Sequence, residues 1–326
     1  MKQKVKFSNI SLMIALVLLV LMFAAGSLMY DRFGSVSTVL NLFNDNAYLI
    51  VVAVGETFVL LTGGIDISVA STLAFTGVFS ASLLEKSVPA LVVIPLVLLI
   101  GTVVGFLQGY AVHEFGIAPF LVTLAGQFLM RGMCAVISTV SIPIENDFFK
   151  AAALGKISFE VPSGGRPKLY YYVFVSLLVV AAAWYVLRFT RFGRAVYAVG
   201  SNEQSARYMG LNVSAVKIGV YAISGFCAAL GGVLFSFYTL AGYSLQNMGM
   251  ELDAISSAVI GGTLLTGGVG SVIGSMVGVL IQGIIQTIVT YQNLNAWWTK
   301  VTIAAILCFF ILIQRVVAIR AEKKKG

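Results

Sequence analysis

Residues 55–71 read GETFVLLTGGIDISVAS, in which one apolar run ends at the glycine pair 63–64 and another begins after Asp66. Two adjacent glycines permit a tight turn because they lack the Cβ atom that would forbid it. The Asp66 carboxylate can then accept a hydrogen bond from the amide of Ser68 or Val69, at the start of the next helix. The stretch therefore predicts two apolar helices joined by a short break.

A second copy of this break lies far along the chain. The string LLTGG at 60–64 recurs at 264–268, and Ser71 and Ser275 keep the same register. In transporters built from internal repeats, interrupted hydrophobic segments at corresponding positions point to the pathway. Chance recurrence of three frequent residue types is the alternative, so a duplication remains a hypothesis at this point.

Charged residues are scarce throughout the chain. Of the 326 residues 59% are hydrophobic and 10% are Asp, Glu, Lys or Arg, whereas soluble globular proteins carry about 25% of these four types. So few ionisable groups cannot cover the surface of a water-soluble body of this size. The composition excludes a soluble globular protein and predicts a chain that lies mostly within a bilayer.

Ten apolar segments are expected, several of them near the roughly 20 residues that a helix needs to span a bilayer. Their predicted bounds are 10–30, 46–62, 66–84, 89–112, 118–139, 170–188, 214–240, 253–268, 270–290 and 298–317. The division of the last long run, from 253 to 290, rests only on its glycines. We therefore expect an all-α polytopic membrane protein with about ten transmembrane helices and broken segments, in a single domain over residues 1–326.

The positions of lysine and arginine predict the orientation of these segments. With the N-terminus inside, 13 of the 21 basic residues lie on the inner side and seven on the outer side, and Arg131 lies within a span. Tails at 1–9 and 318–326 are then cytoplasmic and flank a membrane region at 10–317. The net charge of +8 is explained by this topology, without nucleic acid as a partner. Small residues at 24–26 leave open that the first segment is a cleaved signal peptide.

Polar side chains inside apolar segments are candidates for a solute pathway. Glu56 and Arg131 either pair across helices or serve a substrate or proton, because an intramembrane charge points to function by default. Uncharged polar groups suit a sugar, since hydroxyls need hydrogen-bond partners but no countercharge. Interhelical hydrogen bonds, worth about 0.6 kcal/mol each, are the alternative. The pathway candidates are Asn41, Asn44, Asn46, Glu56, Thr123 and Arg131, and further polar residues are Asp45, Gln108, Gln127, Gln282 and Gln286.

Glycines follow two patterns. A spacing of four residues puts small residues on one helix face and lets neighbouring backbones approach closely, while adjacent pairs break a segment. The packing set is Gly101, Gly105 and Gly109, with Gly270, Gly274 and Gly278, and the break set is Gly63, Gly64, Gly267 and Gly268.

Two connections are long. The external one, 140–169, suits either the docking of a partner or simple spacing. The internal one, 189–213, is basic at its start and then contains GSNEQSARYMG. Ser201 or Asn202 can cap a short helix there, and Gly210 can end it. A short helix between two spans is suited to dock in a cleft of another protein.

Several kinds of site are excluded by the sequence. It contains no phosphate-binding G-x-x-x-x-G-K-[ST] motif and no paired Ser–His or Cys–His catalytic set. The single His113 excludes a multi-histidine metal site. Cys134, Cys227 and Cys308 lie far apart in apolar runs and predict no disulfide framework. We expect no cofactor on this chain, and an ATP-driven role requires a separate ATPase.

Three stretches, in this order, resemble the ribose/arabinose/galactose family of ABC-importer permeases. They are GETFVLLTGGIDISVAS, FGRAVYAVGSNEQSARYMGLNV and ELDAISSAVIGGTLLTGGVGSVIG. The resemblance extends over about residues 35–315. The shorter strings SIPI (141–144), VPSGGR (161–166) and AWWTK (296–300) look most like a permease subunit of a galactofuranose importer.

The resemblance implies a non-enzymatic subunit that moves a monosaccharide, galactofuranose or a related sugar, across the bacterial inner membrane. Its implied partners are a second permease subunit, identical or similar, a cytoplasmic ATPase that uses the ATP, an external sugar-binding protein and membrane lipid. The second stretch resembles the cytoplasmic coupling helix, and the residues implied in coupling are Asn202, Glu203, Ser205, Ala206 and Gly210, with Asp66 nearby. Ser205 and Met209 replace a more frequent alanine and serine, which puts in doubt only which ATPase is bound.

Two other function classes remain open from the residues alone. An autonomous proton-coupled secondary transporter would use Glu56, Asp66 and Arg131 as its charged groups. A membrane scaffold would transport nothing. The internal loop favours the importer subunit, because a secondary transporter has no need of a docking helix bounded by glycines.

Overall fold

The computed structural model describes residues 2–160, 166–295 and 297–323. The helices are α1 (Lys2–Met29), α2 (Val36–Leu61), α3 (Val69–Glu85), α4 (Ala90–Glu114), α5 (Pro119–Ile137), α6 (Asp147–Leu154), α7 (Tyr171–Phe189), α8 (Arg191–Ser201), α9 (Glu203–Tyr208), α10 (Val213–Thr239), α11 (Met250–Ile260), α12 (Val272–Tyr291) and α13 (Trp297–Lys323). The strands are β1 (Ile142–Pro143), β2 (Lys156–Ser158), β3 (Lys168–Tyr170) and β4 (Ala241–Gly242).

The predicted fold class is confirmed. Among the described residues seven helices are long and apolar enough to span a bilayer, namely α1, α2, α4, α5, α7, α10 and α12. α3 and the apolar part of α13, Trp297–Leu312, are shorter apolar helices. α1 already begins at Lys2, so most of the predicted tail at 1–9 continues the first helix.

The predicted segment at 253–268 is wrong as a full span. α11 has 11 residues, which at 1.5 Å per residue cover about half of a 30 Å hydrocarbon core. The chain then turns over 261–271 before α12 begins. Gly262, Gly267 and Gly268 have φ values of 97°, 79° and 75°, in the left-handed region that ends helices. These glycines therefore end α11 after about three turns, well short of a full membrane span.

α10 lies at the centre of the fold and packs against α2, α3 and α4. The glycine face of α4 meets the α10 backbone at Tyr221 for Gly105 and at Ile218 for Gly109. Gly274 and Gly278 of α12 meet the backbone of α11 in the same manner. Gly270, assigned to the same stripe from its spacing, lies in the turn before α12 and packs against the Thr263 side chain.

Contacts between distant segments define two ends of the molecule. At one end lie α8, α9, the turn between α2 and α3, and the turn between α11 and α12. We call it the α9 end, and the other the opposite end.

The described parts of the long connection, 140–160 and 166–169, lie at the opposite end and are folded rather than extended. β1 pairs with β4, with Ile142 opposite Gly242, and β2 pairs with β3. The buried Phe149 of α6 contacts Phe237 of α10, with 4.5 Å between ring centroids. We call this folded part of the connection, which contains α6, the cap.

Candidate functional site

The predicted short helix is present as α9. The Asn202 side chain accepts a hydrogen bond from the Ser205 amide at 2.7 Å, which identifies Asn202 rather than Ser201 as the cap. Gly210 follows with a φ of 77°, the left-handed conformation that ends a helix. Ala206 is fully buried against the body of the chain. Asn202, Ser205 and Gly210 are exposed, so α9 is fixed on one side and free on the other.

Polar contacts orient α9 relative to α10. Glu203 forms ion pairs with Lys217 of α10 at 2.7 Å and with Arg207 at 3.7 Å. The Leu211 amide donates to the Ala206 carbonyl at 3.1 Å and closes the turn that follows. Exposed ion pairs contribute about 0–1 kcal/mol, so they set orientation more than stability.

Beside α9 the two LLTGG copies touch each other. The Gly268 amide donates to the Leu61 carbonyl at 2.8 Å. Gly63, Gly267 and Gly268 have φ values of 80°, 79° and 75°. Gly200, at the end of α8, is wedged against Leu61 and Gly268, and a Cβ atom there would overlap their backbones. We call these residues, Leu61, Gly63, Gly200, Gly267 and Gly268, the glycine junction.

α8 is tied to the same turn a second time. The Tyr197 hydroxyl donates to the Gly270 carbonyl at 2.9 Å. Burial raises the pKa of Tyr197 to about 12, so the hydroxyl stays protonated and keeps its donor. One tightly packed contact therefore joins the end of α2, the end of α8 and the turn after α11. It lies next to α9, which begins two residues after α8 ends.

Asp66 lies inside the chain. Its Oδ1 accepts from the Ser68 amide at 2.9 Å, as predicted, and from the Ser68 hydroxyl at 2.6 Å. Its Oδ2 accepts from the Ser224 hydroxyl of α10 at 2.7 Å. The side chain is 1% exposed. The structure thus corrects the idea that Asp66 itself meets a cytoplasmic partner, because its carboxylate is enclosed and fully used.

Glu56 and Arg131 do not form the predicted pair. Glu56 is fully buried, and its Oε1 accepts from the Asp66 amide at 3.3 Å. Arg131 donates to the carbonyls of Ser244 and Gln246 at 2.8 and 2.9 Å, and so holds the segment before α11 against α5. The two charges lie on helices that meet different neighbours, which spacing along the chain could not show.

The asparagines at the start of α2 line two different cavities, Asn41 and Asn44 a smaller one and Asn46 a larger one. Asn44 donates to the Lys168 carbonyl at 2.8 Å and accepts from the Tyr170 amide at 3.1 Å, so it fixes β3. Asn41 and Asn44 also line a cavity of about 290 Å³ under the folded connection. Thr123 is buried and donates to the Pro119 carbonyl of its own helix at 3.0 Å. The hydrogen bonds of Asn44 and Thr123 therefore hold backbone atoms of the chain.

Asn46 alone of the six pathway candidates lines the larger cavity. That cavity has a volume of about 560 Å³ and lies between α2, α11, α12 and α13. Its polar lining includes Asn46, Asn247, Asp253, Gln282, Gln286 and Lys300.

Asn247, Asp253 and Lys300 were missed as candidates. Lys300 Nζ contacts both carboxylate oxygens of Asp253, at 2.6 and 2.8 Å. The available signal for this pair was the presence of two opposite charges near predicted helix starts in a chain with few charges. Their separation of 47 residues along the sequence hides the fact that they pair. In the described part of the chain, no group of three or more His, Cys, Asp and Glu side chains could hold a metal ion.

Comparisons with known proteins agree with this architecture. A family model described as "Branched-chain amino acid transport system / permease component" matches residues 38–312. The inner membrane ABC transporter permease protein YjfF of Escherichia coli K12 is 41% identical over 98% of this chain and 96% of its own length. The fructose import permease protein FruG of Bifidobacterium longum NCC 2705 is 36% identical over 95% and 92%. The ribose import permease protein RbsC of E. coli K12 is 33% identical over 92% of each chain. No solved structure matches.

Proposed function

Because the chain belongs to this family of ABC-importer permeases, we propose that it carries a monosaccharide across the inner membrane when a separate ATPase binds ATP. As a permease subunit it is a non-enzymatic, multi-pass membrane protein. Related subunits import ribose, fructose, allose and galactose by name. ABC importers of this kind work with an ATPase and a binding protein.

The observation that carries the proposal is the form of α9. Tyr208 and Met209 are 81% and 68% exposed at its end, on a helix whose other side is buried through Ala206. A short, capped helix that projects large side chains suits a cleft in another protein. We therefore assign the ATPase contact to Asn202, Glu203, Ser205 and the exposed end of α9, and the α9 end to the cytoplasm. Both termini lie inside in this orientation.

The glycine junction supplies a route from α9 to the membrane region. The contact of Gly200 with Leu61 and Gly268 leaves no room for a Cβ atom, so a displacement of α8 and α9 would be passed to the end of α2 and to the turn after α11. Movement of these two broken segments is the step that would alternate access. Asp66 then acts indirectly, because it fixes the turn that follows Gly63 through Ser68 and Ser224.

The contacts do not favour a proton-coupled secondary transporter. Such a protein needs carboxylates that gain and lose protons during transport. Asp66 is held by three hydrogen bonds, and Arg131 holds two backbone carbonyls. Asp66 and Arg131 are therefore engaged in structural contacts, and of the three charged groups Glu56 alone keeps an oxygen without a partner among the described residues.

Galactofuranose is our proposed sugar, and it rests on the resemblance of SIPI and AWWTK. Of the third string, VPSGGR, residues 161–165 lie outside the described residues. We further propose that two permease chains, identical or similar, enclose the pathway, and that the binding protein docks on the folded cap that contains α6.

The test is reconstitution of the permease in liposomes together with its partner ATPase and binding protein. We expect ATP-dependent uptake of labelled methyl galactofuranoside, with methyl galactopyranoside and ribose as comparison sugars, because free galactofuranose and galactopyranose interconvert in water. Uptake without the ATPase, or uptake driven by a proton gradient alone, would overturn the proposed function. Equal uptake of all three sugars would overturn only the assignment to galactofuranose.

A further inference from the structure

We propose that the 560 Å³ cavity between α2, α11, α12 and α13 is a binding site for an uncharged polyhydroxylated solute on the translocation pathway. The inference deepens the proposed function and rests on it. What it adds is a place within this chain, lined by named residues, where the sugar of the proposed function is held.

Size and position suit a solute in transit. The volume of about 560 Å³ falls within the range of small-molecule pockets, roughly 300–1,000 Å³. Asn46 lies ten residues after the start of α2, and Gln282 lies nine residues before the end of α12. Both of these helix termini lie at the opposite end of the molecule, so each residue is about 15 Å from that end along its helix. The cavity therefore reaches from that end to about the middle of a 30 Å hydrocarbon core.

The polar lining offers both donors and acceptors. The Nδ2 atom of Asn247 is buried without a hydrogen-bond partner in the described part of the chain, and a buried unpaired donor costs about 1–3 kcal/mol. Asn46 and Gln282 each donate from nitrogen to a backbone carbonyl, of Leu42 and Asp253 respectively, which leaves their carbonyl oxygens for a ligand. Sugar hydroxyls satisfy donors and acceptors of this kind together.

The charge of the lining selects against ionised ligands. Asp253 and Lys300 are its charged residues, and they pair with each other. The lining is therefore neutral, with no spare cation for a phosphate and no spare anion for an amine. A free sugar fits this balance, whereas a sugar phosphate would bring an unpaired charge into a partly desolvated site.

The wall of the cavity is connected to the α9 end. Asp253 lies in the first turn of α11, and the turn after α11 enters the glycine junction through Gly267 and Gly268. A shift of that turn moves α11 against α12 and so changes the cavity. Binding site and coupling helix are thus linked by one three-turn helix.

Cysteine labelling tests the site directly. Gln286 lines the cavity, and Gln292 is exposed six residues further along but lies outside it. In a Cys308→Ser background the two remaining cysteines are buried. We expect a high concentration of free galactose to slow modification of Gln286→Cys by a water-soluble maleimide at least threefold, and to leave Gln292→Cys unchanged. Galactose 6-phosphate should protect neither position.

The labelling uses full-length permease in lipid without ATP, so its result is independent of whether the ATPase drives uptake. The cavity would be overturned as a sugar site if galactose, ribose and fructose all failed to protect Gln286→Cys. It would also be overturned if these sugars protected Gln286→Cys and Gln292→Cys equally. Equal protection by galactose and its phosphate would overturn the neutral ligand class.

Charge variants give a second readout. Lys300→Met leaves the Asp253 carboxylate unpaired, and Asp253→Asn leaves the ammonium unpaired. We expect each to reduce ATP-dependent sugar uptake about tenfold, and the double variant, which is neutral again, to return to within about twofold of the wild type. Single variants with wild-type uptake, or a double variant no better than either single, would contradict the neutral site. Size-exclusion profiles of the purified variants separate misfolding from loss of uptake.

Discussion

The glycine junction and the large cavity lie on the same broken segments and are built in opposite ways. At the junction three backbones meet with no side chain between them, because Gly200 is wedged between Leu61 and Gly268. At the other end of α11 and α12, polar side chains surround about 560 Å³ of space. A contact without free volume transmits displacement, whereas a polar cavity can hold a solute. In our proposals, force is therefore transferred at one end of these helices and the solute is bound at the other.

The largest effect is expected at Gly200. Gly200→Ala places a Cβ atom into the backbone of Leu61 and Gly268, and overpacking of this kind costs about 1–3 kcal/mol or more. ATP-dependent uptake should be abolished, measured in liposomes with the ATPase and binding protein.

Gly132→Ala is the matched control for Gly200→Ala, since it is the same change in a helix with nothing within 4 Å of the added atom. It should retain uptake and be as stable as the wild type or more so. If Gly200→Ala transported as well as Gly132→Ala, the junction would not be tightly packed.

A smaller effect is expected at the exposed end of α9. Tyr208→Ala removes an exposed aromatic ring that, in our proposal, fills a pocket of the ATPase. Truncation of such a residue costs about 2 kcal/mol or more in binding, or about 30-fold in the affinity of permease for ATPase. The affinity can be measured by titrating the ATPase onto immobilised permease.

Phe148→Ala serves as the control for Tyr208→Ala, because this half-exposed aromatic residue lies on α6 at the opposite end. It should leave ATPase affinity unchanged. An equal loss for both variants, or none for Tyr208→Ala, would move the ATPase contact away from α9.

The smallest effect is expected at the Glu203–Lys217 pair. Lys217→Ala removes a half-exposed ion pair worth about 0–1 kcal/mol, so ATPase affinity should fall less than about fivefold. The wild-type affinity should approach that of the variant as salt is raised, because screening weakens the same pair. A loss as large as that of Tyr208→Ala would show that orientation of α9, rather than its exposed end, dominates the contact.

Much of the architecture was predictable. The alternation of apolar segments and breaks identified a polytopic helical protein. The end of α9 at Gly210 was also predicted, and its cap was narrowed to Ser201 or Asn202, of which the structure shows Asn202. The one span predicted wrongly, at 253–268, failed because apolar content is the same for a full helix and for a half helix followed by a turn. Only backbone conformation at Gly262, Gly267 and Gly268 distinguishes the two.

The candidate site was predicted less well, and the reason is physical. Polar residues inside apolar segments can satisfy themselves locally or face a cavity, and the sequence does not contain that choice. Asn44 and Thr123 bind backbone atoms of the chain, while Asn46, two residues from Asn44, lines the cavity. Glu56 and Arg131 were the conspicuous charges, yet they do not meet: Glu56 accepts from the Asp66 amide, and Arg131 donates to the carbonyls of Ser244 and Gln246.

What the sequence by itself determined therefore lies within one helix or one turn: a membrane protein by composition, the breaks by glycine, and the short helix α9 by its cap and its end. Only the tertiary structure decided which distant groups meet, such as the two LLTGG copies, the Asp253–Lys300 pair and the polar walls around Asn247. These contacts depend on how helices cross in three dimensions, and helix packing is set by the combined shape of many side chains rather than by any local pattern.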